Sequence, residues 1–145
     1  MIKRAGREDA CLAAELACKL WPEHTVTEME AEFVESLAQE DAVVFFYNVD
    51  RQTVGFAQCG LRHDYVEGTE TSPVGYLEGI YIEESFRRKG YARELLSACR
   101  QWAREMGCRE FASDCELSNI QSLQFHLHCG FEEANRIVCF TQTLC

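Results

Sequence analysis

Three consecutive cationic residues stand directly before a glycine, in the segment RRKGYA at positions 87–92. A β-branched and aromatic stretch at 74–82 precedes this segment, and an amphipathic helical pattern begins at Gly90. The start of a helix carries unpaired N–H groups and the positive end of the helix dipole, and a glycine there lets a ligand approach the backbone. The pattern therefore predicts a phosphate-binding strand–loop–helix junction. The alternative interpretation is a solvated run of charges before a helix.

The charge of the whole chain makes this cluster unusual. The 145 residues include 14 Lys and Arg against 24 Asp and Glu, so the formal net charge is −10. Such a balance argues against nucleic acid or an anionic membrane as partner, because both require a basic surface, and it leaves room for a cationic small molecule. With 47% hydrophobic residues, the chain is expected to fold as one domain over residues 1–145.

The nine cysteines indicate a reducing compartment rather than a metal or disulfide scaffold. Their number is odd, no C-x-x-C pair occurs, and no group of His and Cys has zinc spacing, so no metal site is predicted. The amino-terminal residues contain no apolar signal-peptide core, and the longest apolar run is far shorter than the ~20 residues of a membrane helix. We therefore expect a cytoplasmic protein.

Hydrophobic periodicity predicts a mixed α/β fold in the order β-α-α-β-β-β-α-β-α-β. A capping box at residues 27–30 opens the second helix, and Ser118 is the expected cap of the last one. The other predicted helices cover residues 8–20, 90–106 and 119–129, and the predicted strands cover residues 2–5, 42–48, 53–62, 74–82, 108–113 and 137–144.

Two motifs resemble the GNAT superfamily of acyl-coenzyme A-dependent N-acetyltransferases. The pattern R-x-x-G-x-A at 87–92 matches its pyrophosphate loop, and residues 119–131 match its later helix with a terminal Gly-Phe. The resemblance implies splayed central strands with acetyl-CoA between them and no metal. It implies that backbone at 80–82, N–H groups at 88–93 and one asparagine bind this co-substrate. The cofactor-binding candidates are Ile80, Tyr81, Ile82, Arg87, Arg88, Lys89, Gly90, Tyr91, Ala92, Arg93 and Asn119.

Four further segments resemble the aminoglycoside 6′-N-acetyltransferases, at residues 20–24, 62–68, 73–80 and 110–114. The resemblance implies transfer of acetyl from acetyl-CoA to the 6′-amino group of aminoglycoside antibiotics, which confers resistance, and it implies a homodimer. It also implies a set of residues that line the sugar site. They are Trp21, His24, Tyr65, Glu78 and Asp114.

The proposed reaction must first neutralise an ammonium group. An alkyl amine with a pKa of ~10.4 is almost entirely protonated at pH 7. Glu78, directly or through water, is the expected base, with Asp114 beside the thioester and a backbone N–H near Ile80 stabilising the oxyanion. Many superfamily members carry a tyrosine seven residues after the asparagine to protonate the thiolate, and His126 occupies that position here. Direct attack in a ternary complex is expected, since no cysteine is needed as nucleophile.

Two other functions remain open from the sequence. An N-acetyltransferase of another small amine or a polyamine would share the fold and the loop, and a panel of amines would separate it from a drug-modifying enzyme. A non-catalytic acyl-CoA-binding sensor would bind the cofactor without turnover.

Overall fold

The computed structural model describes residues 1–145 and contains one five-stranded sheet in the order β1-β2-β3-β4-β5. Neighbouring strands are antiparallel except β4 and β5, which are parallel. The strands are β1 Ile2–Arg4, β2 Ala42–Val49, β3 Gln52–Arg62, β4 Val74–Ile82 and β5 Phe111–Ser113. The helices are α1 Ala10–Leu20, α2 Val26–Leu37, α3 Tyr91–Glu105 and α4 Ile120–His128, with 3₁₀ turns at Arg7–Asp9 and Glu84–Phe86. The predicted mixed α/β class is confirmed.

Apolar side chains cover both faces of this sheet. On one face, α1 and α2 bury Phe33 against Phe46 and Phe56 of the strands. On the other face, α3 buries Leu95 and Trp102 in the larger core cluster. The sheet is thus held rigidly between two helical layers, and its strands can position functional groups at their ends.

Strands β4 and β5 pair over only three residues. The register runs from Gly75 opposite Phe111 to Leu77 opposite Ser113, after which β4 continues unpaired on that side to Ile82. The strands therefore separate beyond Leu77, and the expected splay is confirmed. A ligand entering this gap meets the free edge of β4.

Two helix caps differ from those predicted. The side chain of Thr25 accepts the N–H of Glu28 at 3.2 Å, so α2 begins two residues earlier than the predicted box. At α4, the amide oxygen of Asn119 accepts the N–H of Ser122 at 3.1 Å, so Asn119 replaces Ser118 as the cap. At each site two neighbouring side chains could have capped the helix, and the residue at which the helical backbone begins determines which one does so.

The strands predicted within residues 137–144 are wrong for this chain: residues 131–145 form no strand or helix. The segment leaves α4 and contacts the loop before β4, where the amide of Asn135 donates to Glu67 at 2.8 Å. Beyond that contact, Val138 and Phe140 are 77% and 88% exposed. The segment has the composition of a strand but pairs with no partner strand within one chain.

None of the helices combines the length and the hydrophobicity needed to cross a membrane.

Candidate active site

A β-bulge marks the point at which β4 and β5 separate. Gln58 of β3 lies opposite Gly79, whereas the next residue, Cys59, lies opposite Leu77, so Glu78 is the extra residue on β4. A bulge redirects the side chain of the extra residue and increases the local twist. The Glu78 side chain is consequently one-third exposed (33%), although its strand neighbours Tyr76 and Leu77 are buried.

Glu78 faces a cavity of about 480 Å³ between the end of α1, the start of α2 and the sheet. Four of the eight lining residues are glutamates and none is Lys or Arg, so the cavity attracts cations. Three predicted acceptor residues, Trp21, His24 and Glu78, meet here. The complete lining is Trp21, Glu23, His24, Met29, Glu32, Gln58, Glu78 and Glu116.

Trp21 is held against the bulge by a glycine. A Cβ at Gly79 would lie 2.5 Å from the Trp21 ring, so only glycine lets the indole pack flat on the strand. The same ring meets Phe56 edge-on, with centroids 6.4 Å apart. The indole is therefore fixed beside Glu78 and forms an aromatic wall of the cavity.

The other two predicted acceptor residues lie outside the cavity lining. Asp114, directly after β5, accepts a hydrogen bond from the hydroxyl of Tyr76. Burial is the main cause that raises the pKa of Tyr76, and this hydrogen bond raises it further, so the hydroxyl remains a donor. Tyr65 lies in the loop at 63–73 and is 76% exposed. The structure thus brings Asp114 to the site through Tyr76 and leaves Tyr65 free in solvent.

Arg62, at the end of β3, forms an ion pair with Glu78. Its Nη2 lies 2.8 Å from Oε1 of Glu78, and its guanidinium carbon lies 3.6 Å from the centroid of the Tyr76 ring. Partial burial lowers the pKa of Arg62, but the bonds to Glu78 and the surrounding negative charge outweigh burial and leave that pKa above its ordinary value. Arg62 therefore contacts Glu78 directly and is connected to Asp114 through Tyr76.

The predicted phosphate loop has the backbone geometry of an anion site. Arg88 and Gly90 both adopt positive φ, at 64° and 83°, before α3 begins at Tyr91. No N–H group from residue 88 to residue 93 donates to a backbone carbonyl. These six donors, at the start of a 15-residue helix, are free to bind phosphate oxygens.

Several side chains of this loop already have partners. Nε of Arg87 donates to the carbonyl of Ile82 at 2.7 Å, which closes the loop onto the end of β4. Tyr91 stacks on Tyr47 with centroids 4.1 Å apart, and Arg93 reaches the carbonyl of His128 at 3.4 Å. Arg88 and Lys89 remain exposed and make no ion pair, so they are the cations available to a ligand.

His126 lies on α4 beside the point of strand separation. Its Nδ1 is 2.7 Å from the carbonyl of Ser122, which only accepts, so Nδ1 carries a proton. Its Nε2 is 2.8 Å from the hydroxyl of Ser113, the last residue of β5. In the imidazolium form, Nε2 would donate to that hydroxyl, which creates a route for a proton toward the splay.

A second cavity, of about 250 Å³, lies before the start of β4 and has no carboxylate in its lining. In addition, no three His, Cys, Asp or Glu side chains are arranged to hold a metal ion. The acidic cavity, by contrast, is lined by Glu78 of β4, the strand that leads into the phosphate loop.

Sequence reasoning missed the contributions of Arg62, Tyr76 and three glutamates, Glu23, Glu32 and Glu116. Arg62 and Glu78 belong to different strands, and their pairing depends on a bulge that no local pattern reveals. Each glutamate also resembles an ordinary solvated acid. The only sequence signal for an acidic site was the excess of Asp and Glu in the chain, and this excess does not indicate which acids line the cavity.

Comparison with known proteins agrees with this geometry. Residues 11–131 match the Acetyltransferase (GNAT) family. The aminoglycoside N(6′)-acetyltransferase type 1 of Stenotrophomonas maltophilia is 44% identical over 99% of this chain and 93% of its own length. The enzyme of the same name from Serratia marcescens is 42% identical over 94% of this chain and 92% of its own length.

Solved structures lead to the same family. The aminoglycoside N-acetyltransferase AAC(6′)-Iy in complex with CoA superposes with a TM-score of 0.95 at 35% identity, covering 99% of this chain and 95% of that one. AAC(6′)-Iy in complex with the bisubstrate analogue CoA-S-monomethyl-acetylneamine superposes with a TM-score of 0.94 at 35% identity. The match covers 99% of this chain and 98% of that one. The chain therefore belongs to the GNAT family of acetyltransferases, and within it to the aminoglycoside N(6′)-acetyltransferases.

Proposed function

We propose that this chain, as a single acetyltransferase domain, transfers acetyl from acetyl-CoA to the 6′-amino group of aminoglycosides and so confers resistance. The observation that carries the proposal is an acidic cavity that opens at the strand splay, with Glu78 on the bulge between them. Aminoglycosides carry several ammonium groups, which complement four lining carboxylates. Relatives at 42–44% identity bear this activity in their names.

Acetyl-CoA is expected to enter the gap between β4 and β5. Its pyrophosphate would accept from the six free N–H groups of residues 88–93, with Arg88 and Lys89 adding positive charge. The pantetheine would pair with the free edge of β4 at residues 80–82. Asn119 uses its amide oxygen as a helix cap, which leaves its amide nitrogen free to donate to the cofactor.

Glu78 is the proposed acceptor of the ammonium proton, directly or through one water. Arg62 uses part of the lone-pair capacity of the carboxylate, and Glu78 lines the cavity, so a bound ammonium can approach the remaining oxygen positions. Asp114 would hold a neighbouring ammonium of the same sugar. The neutral amine then attacks the thioester carbonyl, and a backbone N–H near Ile80 stabilises the oxyanion.

His126 is the proposed donor to the departing thiolate. Because Nδ1 already donates to the Ser122 carbonyl, a second proton on Nε2 makes the ring an acid, and the Ser113 hydroxyl can relay that proton. The amine nitrogen forms a bond to the acetyl carbon as the carbon–sulfur bond breaks, and the second proton that this nitrogen loses replaces the one given up by His126. The products are the amide, coenzyme A thiol and the proton taken by Glu78.

A thiol-release panel tests the function. Acetyl-CoA is supplied with a 6′-amino aminoglycoside, with spermidine as a simple polyamine, and with no acceptor. A kcat/KM at least about tenfold higher for the aminoglycoside than for spermidine supports the proposal. A preference for spermidine would favour the polyamine enzyme, since its cations also suit the cavity. Tight acetyl-CoA binding without turnover would favour a sensor.

A homodimer is proposed as the working assembly. β5 is the edge strand of the sheet, and the apolar residues of the terminal segment have no partner within the chain. A terminal segment from a second copy could pair with that edge. Light scattering should give twice the 16.6 kDa chain mass, and Phe140→Asp should shift the protein to monomer. A wild-type monomer would refute the dimer.

A cytoplasmic location is proposed on two grounds. All nine cysteines are unpaired thiols, which suits a reducing compartment. The proposed reaction also requires a compartment that contains acetyl-CoA. Fractionation of the expressing cells should recover the protein with cytoplasmic markers, and recovery with periplasmic markers would contradict it.

A further inference from the structure

We infer that Arg62, held on the ring of Tyr76, is a positioning residue that orients the Glu78 carboxylate for proton removal. The inference rests on the base role proposed for Glu78. It adds a function to Arg62 and Tyr76, which the sequence did not single out and which touch the site only through the two acids.

The contact between Arg62 and Glu78 fixes both carboxylate oxygens. Nη2 of Arg62 lies 2.8 Å from Oε1 and 3.1 Å from Oε2, and Nε lies 3.3 Å from Oε2. A guanidinium holds its donors in a rigid plane, so these contacts set the direction of the carboxylate as well as its position. The same Glu78 side chain lines the acidic cavity.

Tyr76 provides the surface on which Arg62 rests. The ring is only 7% exposed and packs with Val66 and Val74, so it is a fixed platform. The guanidinium carbon lies 3.6 Å above its centroid, a close cation–π contact. The hydroxyl donates to Asp114, which holds the far end of the ring in place and connects the platform to the second acid.

The link spans a gap that the sheet does not bridge. Glu78 lies on β4 and Asp114 follows β5, and the backbone pairing of these strands ends at Leu77 and Ser113. Beyond this point, no backbone hydrogen bond between the strands holds the two acids at a set separation. The side chains of Arg62 and Tyr76 do so before the acceptor arrives, and preorganised groups of this kind raise kcat.

Positioning and electrostatics predict opposite effects on binding. Arg62 places a positive charge on a carboxylate that lines a cation-binding cavity, so its removal alone should not weaken acceptor binding. If Arg62 orients Glu78, its removal should instead slow the chemical step. A split between kcat and the acceptor KM therefore separates positioning from a binding contact or a purely structural role.

The test compares Arg62→Met with Arg62→Lys in steady-state turnover of a 6′-amino aminoglycoside. We expect kcat to fall about tenfold in both, because lysine keeps the charge but cannot make the planar two-point contact. The acceptor KM should stay equal or fall, and the acetyl-CoA Kd should not change. Arg104→Met, which removes an exposed arginine of α3, is the matched control and should retain full kcat.

A double-mutant cycle with Glu78→Gln shows whether Arg62 acts through Glu78. Arg62→Met should change kcat less than about twofold in the Glu78→Gln background. An unchanged kcat in Arg62→Met, full rescue by lysine, or an equal loss in both backgrounds would each overturn the positioning role. If Glu78→Gln itself keeps wild-type kcat, the proposed base role fails instead. Thermal melting of each variant identifies losses due to unfolding, which would recur in both backgrounds.

Discussion

The two halves of the site are built from different materials. The cofactor half consists of backbone: six free N–H groups, two residues with positive φ and the start of α3. The acceptor half consists of side chains: four cavity glutamates, an indole packed against a glycine and an arginine paired with one of those glutamates. A backbone site tolerates changes of side chain but not of dihedral angle, whereas a side-chain site depends on single functional groups.

The largest effect expected from this contrast is that of Glu78→Gln. The amide cannot take a proton, so kcat should fall by about a hundredfold or more, whereas the acetyl-CoA Kd should stay the same. Glu32→Gln, which also removes one carboxylate from the cavity, is the matched control. It should raise the acceptor KM a few-fold and leave kcat intact. Equal kcat in the two variants would remove Glu78 from the chemistry.

Gly90→Ala should come next and should damage only the cofactor half. No atom lies within 4 Å of the new methyl group, so the effect arises from the φ of 83°, where a non-glycine residue costs about 1–2 kcal/mol. Relief of this strain moves the loop, and we expect acetyl-CoA to bind about tenfold more weakly at constant acceptor KM.

Gly107→Ala is the control at the other end of α3, where φ is 90° and the space is equally open. It carries the same strain away from the loop. Calorimetric titration should show normal acetyl-CoA affinity for Gly107→Ala. Equal affinities for the two variants would mean that the loop geometry does not determine binding.

Lys89→Met should have a smaller effect, because the backbone does most of the work in the cofactor half. The acetyl-CoA KM should rise about two- to threefold at low ionic strength and should approach the wild-type value at 0.5 M salt. A large loss that salt does not change would show that a side chain, rather than the backbone, holds the phosphates.

The smallest expected effect concerns the loop that carries Tyr65. Hydrogen bonds from Thr71 and Glu70 lower the pKa of Glu110 below 4.5 and tie this loop to the start of β5. Because the folded pKa is lowered, the stabilisation is present above pH 4.5 and is lost as pH falls through the folded value. Glu110→Gln should therefore lower the Tm at pH 7, and the difference from the wild type should shrink as the pH falls below 4.5. A difference that stays constant as the pH falls would contradict this assignment.

The predictability of the two halves from sequence follows their construction. The phosphate loop was found because its glycine and helix start are contiguous at 87–92, and the order of elements followed from periodicity as far as α4. The contact of Arg62 with Glu78 was not predicted, because it joins two strands across a bulge. The terminal strand failed because periodicity reports what a segment can form, and within one chain this segment has no strand to pair with.

The most direct measurement compares two aminoglycosides that differ only in a 6′-amino or a 6′-hydroxyl group, with acetyl-CoA as donor. An ammonium at this position supplies the proton that Glu78 removes and the nucleophile that attacks the thioester. The account predicts a kcat/KM at least about a hundredfold higher for the 6′-amino compound, with acetyl found on that nitrogen by mass spectrometry. Equal rates for the two compounds, or acetylation at another amine, would contradict it.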